Sequence, residues 1–215
     1  MSLPIYNQNL GIIGILAQSA PQEYTDCITF TGETSDFTLK ATYKEWDGTV
    51  EYSTDHNTWT VWNGAAVSSV DKKLYLRGSG NTTLCTNSGA QFVLSARAAC
   101  SGNIQTLLEY SNQPAAVANF CYALMFYGCT TLITAPELPA TTLAGFCYYN
   151  MFYNCTKLKI SATQSSEYPT AWRIPSSGTI SSTATNWNLD MLSGTGGTFT
   201  SGPSINTTYY GAWTK

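Results

Sequence analysis

Charge is what this chain has least of. Of 215 residues only 10 are Lys or Arg and 13 are Asp or Glu, so 11% are charged where a soluble domain ordinarily has about a quarter. The net charge of −3 comes with scattered basic residues, Lys72-Lys73 being the nearest thing to a cluster. That excludes the basic stripe needed to hold a phosphate backbone, so no nucleic-acid partner is expected. There is one histidine, His56, beside Asp55 in a turn-like Ser53-Thr54-Asp55-His56-Asn57 stretch. A Ser-His-Asp triad needs acid and nucleophile on opposite ring nitrogens, which an adjacent aspartate reaches poorly. No Cys-x-x-Cys pair, phosphate-cradling glycine loop, His-Glu-x-x-His or Gly-x-Ser-x-Gly elbow occurs, so no catalytic residue, cofactor or metal site is assigned. Glu45, Asp47 and Glu51 are close in sequence, but on a hairpin they are solvated strand-end charges and not a hydrolase pair. Long apolar runs are missing too. Gly11 to Ala17 is the longest near the start and is too short to span a bilayer, so no membrane insertion is expected. No Lys or Arg precedes that run, the first being Lys40, so it lacks the basic flank of a secretory leader.

What fills the space is Ser, Thr, Asn and Gly, with 13% aromatic residues and 43% hydrophobic residues, enough for an ordinary core. A surface made soluble by hydroxyls and amides suits a secreted or virion-exterior protein. From Cys27 to Val93, short β-prone runs alternate with turn signals such as Asp47-Gly48 and Asn63-Gly64, the pattern of a small antiparallel sandwich or barrel. Trp59 and Trp62 lie on opposite faces of one such run, so one is expected in the core and the other outside.

The second half carries a repeat at an offset of 26. Phe120-Cys121-Tyr122 recurs as Phe146-Cys147-Tyr148, Met125-Phe126-Tyr127 as Met151-Phe152-Tyr153, Cys129-Thr130 as Cys155-Thr156, and Leu132 as Leu158. A fixed offset of this size marks a solenoid whose units bury their apolar sides against one another. Cys121, Met125 and Cys129 are four apart, as are Cys147, Met151 and Cys155, which predicts a helix with each set on one face. Residues eight apart on a helix are about 12 Å apart along its axis, too far for a disulfide. The four repeat cysteines are therefore expected as buried thiols, while the pairing of Cys27, Cys85 and Cys100 stays open.

The run Cys-Tyr-x-x-Met-Phe-x-x-Cys-Thr-x-Leu, followed by Ala135-Pro136-Glu137-Leu138-Pro139, resembles the BspA-like leucine-rich repeat surface proteins of gut and oral bacteria and their bacteriophages. The likeness spans roughly residues 26 to 210, with Cys100-Ser101-Gly102-Asn103-Ile104 and Trp172-Arg173-Ile174-Pro175 as flanking pieces. Only two repeats are clear in this chain. The resemblance implies surface display and adhesion without a particular reaction.

The expected fold is α+β, with four parts. They are an N-terminal anchoring arm (1–24), an antiparallel β domain (25–98), a leucine-rich-repeat-like α/β solenoid (99–160) and an irregular C-terminal cap (161–215). The expected function is a non-enzymatic virion-surface protein of a bacteriophage, as a head or tail fibre or decoration protein. Its arm would dock a capsid or tail scaffold through Ile12, Ile13, Ile15 and Leu16, and homo-oligomers are expected. Tyr122, Tyr127, Tyr148, Tyr149 and Tyr153 fall off the Cys-Met-Cys face and are the candidate contacts for a host glycan or protein. A bacterial cell-surface adhesin and, behind it, a carbohydrate-active enzyme are the alternatives.

Overall fold

The computed structural model describes residues 27–86, 90–174, 179–180, 184–199, 202–205 and 207–212. The arm residues Ile12, Ile13, Ile15 and Leu16 lie outside the described residues. Eight strands occupy the first part: β1 (Ile28–Gly32), β2 (Thr38–Ala41), β3 (Thr49–Ser53), β4 (Thr60–Val61), β5 (Val67–Ser68), β6 (Lys73–Ser79), β7 (Phe92–Leu94) and β8 (Ala98–Ser101). Six follow: β9 (Leu132–Thr134), β10 (Thr142–Leu143), β11 (Ile160–Ser161), β12 (Thr170–Ile174), β13 (Thr179–Ile180) and β14 (Thr207–Gly211).

A six-stranded sheet runs β4-β3-β6-β1-β8-β9, antiparallel except for the last pair. A three-stranded sheet, β5-β2-β7, covers it, and a second one, β11-β14-β12, closes the C-terminal end. Strand β6 shows why these runs become strands: Leu74, Leu76 and Gly78 are buried while Lys73, Tyr75, Arg77 and Ser79 are half-buried on the outer face, the period of two that a one-sided sheet requires. On that outer face Arg77 is clamped between the rings of Trp59 (4.1 Å) and Tyr110 (4.4 Å), and its Nε donates to Glu51 at 2.7 Å. Trp62 is buried and Trp59 half-buried, as alternation along that run requires.

The expected α+β class is overturned. Among the described residues there is no α-helix, only one 3₁₀ turn at Ile104–Leu107, and the repeat segments are not helical. Each is a ribbon of turns. Ala123, Met125, Tyr127 and Cys129 donate backbone N–H groups three residues back, to Phe120, Tyr122, Leu124 and Phe126 at 2.9–3.3 Å. The intervening N–H groups leave the segment: Tyr122, Leu124, Phe126 and Gly128 donate to Cys147, Tyr149, Met151 and Tyr153 of the next unit at 2.7–2.9 Å. An α-helix would satisfy all of these internally; here half of them join neighbouring rungs.

The turn ribbon is set by left-handed residues recurring every fourth position, namely Phe120, Leu124 and Gly128, then Phe146, Asn150 and Asn154, with φ from 51° to 68°. A period of four places Cys121, Met125 and Cys129 on one face just as a helix would, so the spacing marks a buried face in either conformation. A third rung, Asn186 to Thr195, lies above the second: Tyr148, Asn150, Phe152 and Asn154 donate to Trp187, Leu189, Met191 and Ser193 at 2.8–3.0 Å. Its left-handed residues are Asn186, Asp190 and Gly194. The 26-residue offset does not reveal it, because the insertion holding β12 and β13 breaks the spacing and Met191 alone keeps the residue type of its column, Trp187 and Leu192 standing where the earlier rungs have Cys and Phe.

Left-handed backbone is costly for a residue with a branched side chain and mild for Asn, Asp or Gly. Leu124 is the misfit in its column, where the other rungs place Asn150 and Asp190. Leu124→Asn should raise stability by about 0.5 kcal/mol, the backbone relief of about 1 kcal/mol outweighing the packing lost at a half-buried position. A thermal melt with a lower midpoint than the parent would refute this account of the ribbon.

Stacking makes ladders of like residues. The rings of Phe120/Phe146, Tyr122/Tyr148, Phe126/Phe152 and Tyr127/Tyr153 lie nearly parallel with centroids 4.8–5.9 Å apart. All seven cysteines are buried and none is in a disulfide. Burial pushes the thiols of Cys121 and Cys147 up to about 12, and those of Cys100 and Cys155 well up as well. Cys155 Sγ donates to the Phe126 carbonyl at 2.9 Å, so the thiol also ties two rungs together.

Candidate functional site

The five tyrosines singled out by the repeat do not share one environment. Tyr122 and Tyr148 are fully buried, their rings stacked in the core, which corrects their assignment as ligand contacts. In a period-four ribbon, residues next to the Cys-Met-Cys column also point inward, so two apolar columns are buried where a helix stripe suggested one. Burial drives both phenols well above their ordinary range. The Tyr148 hydroxyl is buried with no hydrogen-bond partner among the described residues. Tyr148→Phe should therefore leave stability unchanged or raise it by up to about 1–2 kcal/mol, since an unpaired buried hydroxyl opposes folding. A loss of more than that in chemical denaturation would give the hydroxyl a partner and a role.

Tyr127, Tyr149 and Tyr153 are half-buried on the outer side of the stack. Tyr127 and Tyr153 lie face to face at 5.1 Å with planes 9° apart. Each covers a face of the other, so what they offer outward is ring edge and hydroxyl, suited to hydrogen bonding more than to stacking. Tyr149 meets Phe146 at 86°. Residues 118–129 and 144–155 contain no charged side chain, so this side of the first two rungs is an uncharged surface of phenols, amides and backbone.

Inside, aromatic rings form one continuous series from the first sheets to the far end. Trp46 stacks on Trp62 (5.2 Å), Trp62 meets Phe92 (5.4 Å), Phe92 meets Phe126 (5.8 Å), Phe126 stacks on Phe152 (5.5 Å), and Phe152 meets Trp172 (6.3 Å). Trp172 is half-buried, and its indole N–H donates to the Pro136 carbonyl at 3.0 Å. It forms a wall of a cleft of about 460 Å³. Ile133 and Thr134 of β9, the last strand of its sheet, line it as well, and the end of β8 through Gly102, the start of β12, the end of β14 and Leu158 to Ile160 complete it.

The cleft opens where the stack changes its bonding. β8 pairs with β9, and Leu158 and Ile160 accept from Gly196 and Thr198, just after the third rung, at 3.0 Å. β9 and β11, which the 26-residue offset would place side by side, lie in different sheets because β14 pairs with β11. No local pattern signals this cleft: its lining comes from five separated segments, and Trp172 stands outside the repeat.

The residues weighed for chemistry are dispersed. Asp47 accepts from Thr82 and Thr83; burial raises its carboxyl, but these hydrogen bonds outweigh that and hold it below its ordinary range. Glu45 accepts from the Thr86 N–H at 2.8 Å, and Glu51 is the partner of Arg77. Asp55 closes its own turn by accepting from Thr58, Asn57 and Ser53, which lowers its carboxyl. His56 Nε2 lies 3.3 Å from Cys27 Sγ, and its ring packs on Tyr75 and Trp59. No group of three His, Cys, Asp or Glu side chains placed to hold a metal ion occurs among the described residues. No protein-family model, curated protein or solved structure matches the chain.

Proposed function

We propose that the protein is a non-enzymatic display protein on the exterior of a bacteriophage particle, attached through residues 1–24 and presenting the stacked rungs for adhesion to a host surface. The observation that carries this reading is the uncharged outer side of the first two rungs. Tyr127, Tyr149 and Tyr153 are held there by ring contacts at 5.1–5.7 Å, and neither of the first two rungs bears a charge. A surface of phenol and amide groups on an ordered backbone loses little side-chain entropy on contact and gives adaptable hydrogen bonding, the properties that suit tyrosine to recognition. The charge-poor composition and the resemblance of the repeat to surface proteins support the same reading.

The test is made on particles. Mass spectrometry of purified virions should find the chain, and a phage whose gene lacks codons 1–20 should assemble particles without it. Purified full-length chain should adsorb to host cells and compete with the phage. Absence of the chain from virions, or unaltered incorporation of the truncated form, would overturn the proposal.

A further inference from the structure

The cleft between β9 and the start of β12 has features that a gap between two sheets does not need. Its Trp172 wall is fixed twice, by the indole N–H to Pro136 and by Phe152, so the ring is held in place at the edge of an open space. Glu137 lies at the same cleft; its backbone is tied to Gly102 and Ile104 at 2.8 and 3.1 Å, while its exposed carboxylate bonds to no described residue. The neighbouring cation, Lys159, is engaged by Glu167 at 3.2 Å. Thr134 spends its hydroxyl proton on the Cys100 carbonyl at 2.6 Å. The cleft therefore presents a positioned aromatic ring, an uncommitted hydrogen-bond acceptor and the edge of a strand.

We infer that this cleft binds a neutral carbohydrate, one or two hexose units of a surface polysaccharide. The inference rests on the adhesion reading above and names the ligand class for a site away from the tyrosine flank. A pyranose offers an apolar C–H face to an aromatic ring and hydroxyl donors to a carboxylate, the two things Trp172 and Glu137 supply. A volume of about 460 Å³ is in the range of small-ligand clefts. An acidic sugar is disfavoured, because the free charge in the cleft is negative and Lys159 is already paired. Strand addition by a peptide is disfavoured by length: β9 has three residues, too short an edge to hold an extended peptide by main-chain bonds.

The experiment titrates the full-length chain with methyl α-D-mannopyranoside, methyl β-D-galactopyranoside and methyl β-D-glucopyranoside. It follows the Trp172 indole N–H resonance, assigned by its loss in Trp172→Phe. At least one glycoside should shift that resonance, with millimolar affinity, and Glu137→Gln should weaken binding about 10-fold while leaving the melting midpoint unchanged. N-acetylneuraminic acid and an acetylated valine–threonine pentapeptide should not shift it. No shift with any of the three at about 50 mM, unchanged affinity in Glu137→Gln, or a shift with the peptide instead would overturn the assignment. Host-cell adsorption by Glu137→Gln separates the two readings. Retained adsorption with no glycoside binding removes the cleft assignment and leaves the display proposal standing. Glycoside binding by a chain that is absent from virions does the reverse.

Discussion

Replacing Phe126 with alanine should cost about 3–5 kcal/mol and lower the whole protein's stability in one transition. Phe126 is 1% exposed and touches Phe30 of β1, Phe92 of β7 and Phe152 of the second rung, with centroids 5.5–6.4 Å apart. It is therefore the ring through which the first sheets and the stacked rungs share a core, and the same hydrophobic cluster runs from Ile28 to Tyr209. Truncation removes a large buried ring and leaves a cavity between two rungs that hydrogen bonds hold at fixed separation, so the site has little room to collapse. Fluorescence and circular dichroism in a denaturant titration should move together to a lower midpoint. Two separated transitions, with the β-sheet signal unaffected, would show that the halves fold independently and that Phe126 does not join them.

Gly78→Ala should destabilise by about 3 kcal/mol or more, through a single added methyl group. Gly78 is a buried position of β6, opposite Val50 of β3, and the 3₁₀ turn Ile104–Leu107 crosses directly over it. A Cβ there would stand 1.8 Å from the Leu107 carbonyl oxygen and 2.5 Å from its carbon. These are backbone atoms, and they cannot swing aside: the Leu107 carbonyl accepts from Asn81 Nδ2 at 2.9 Å, and the Gly78 carbonyl accepts from Tyr110 at 2.9 Å. Relief would require lifting the turn off the sheet and losing the burial of Ile104 and Leu107. Gly78 has no left-handed φ, so the effect isolates close approach from backbone conformation. A variant melting within about 2 °C of the parent would mean that the turn does not lie this close.

Much of the architecture was legible because it is local. Leu74, Leu76 and their outward neighbours alternate in the sequence as they alternate on β6, and Phe126 and Phe152 carry the repeat that places them in register. The helix was misread because a spacing of four is shared by two conformations. What separates them is the left-handed position every fourth residue, and that signal was present at Gly128, Asn150, Asn154, Asn186, Asp190 and Gly194. It was obscured at Phe120, Leu124 and Phe146, where large residues adopt the same backbone because the neighbouring rung holds it.

The sequence by itself determined that the Cys-Met-Cys columns are apolar and buried, that the first two units repeat at 26, and that the surface depends on hydroxyls and amides, since each follows from residue type and spacing. Only the tertiary structure decided how the N–H groups are shared between rungs, that Tyr122 and Tyr148 are core while Tyr127 and Tyr153 are not, and that Trp172 and Glu137 line one cleft. Those outcomes depend on hydrogen bonds and contacts between residues 25 or more positions apart, whose formation no local pattern specifies.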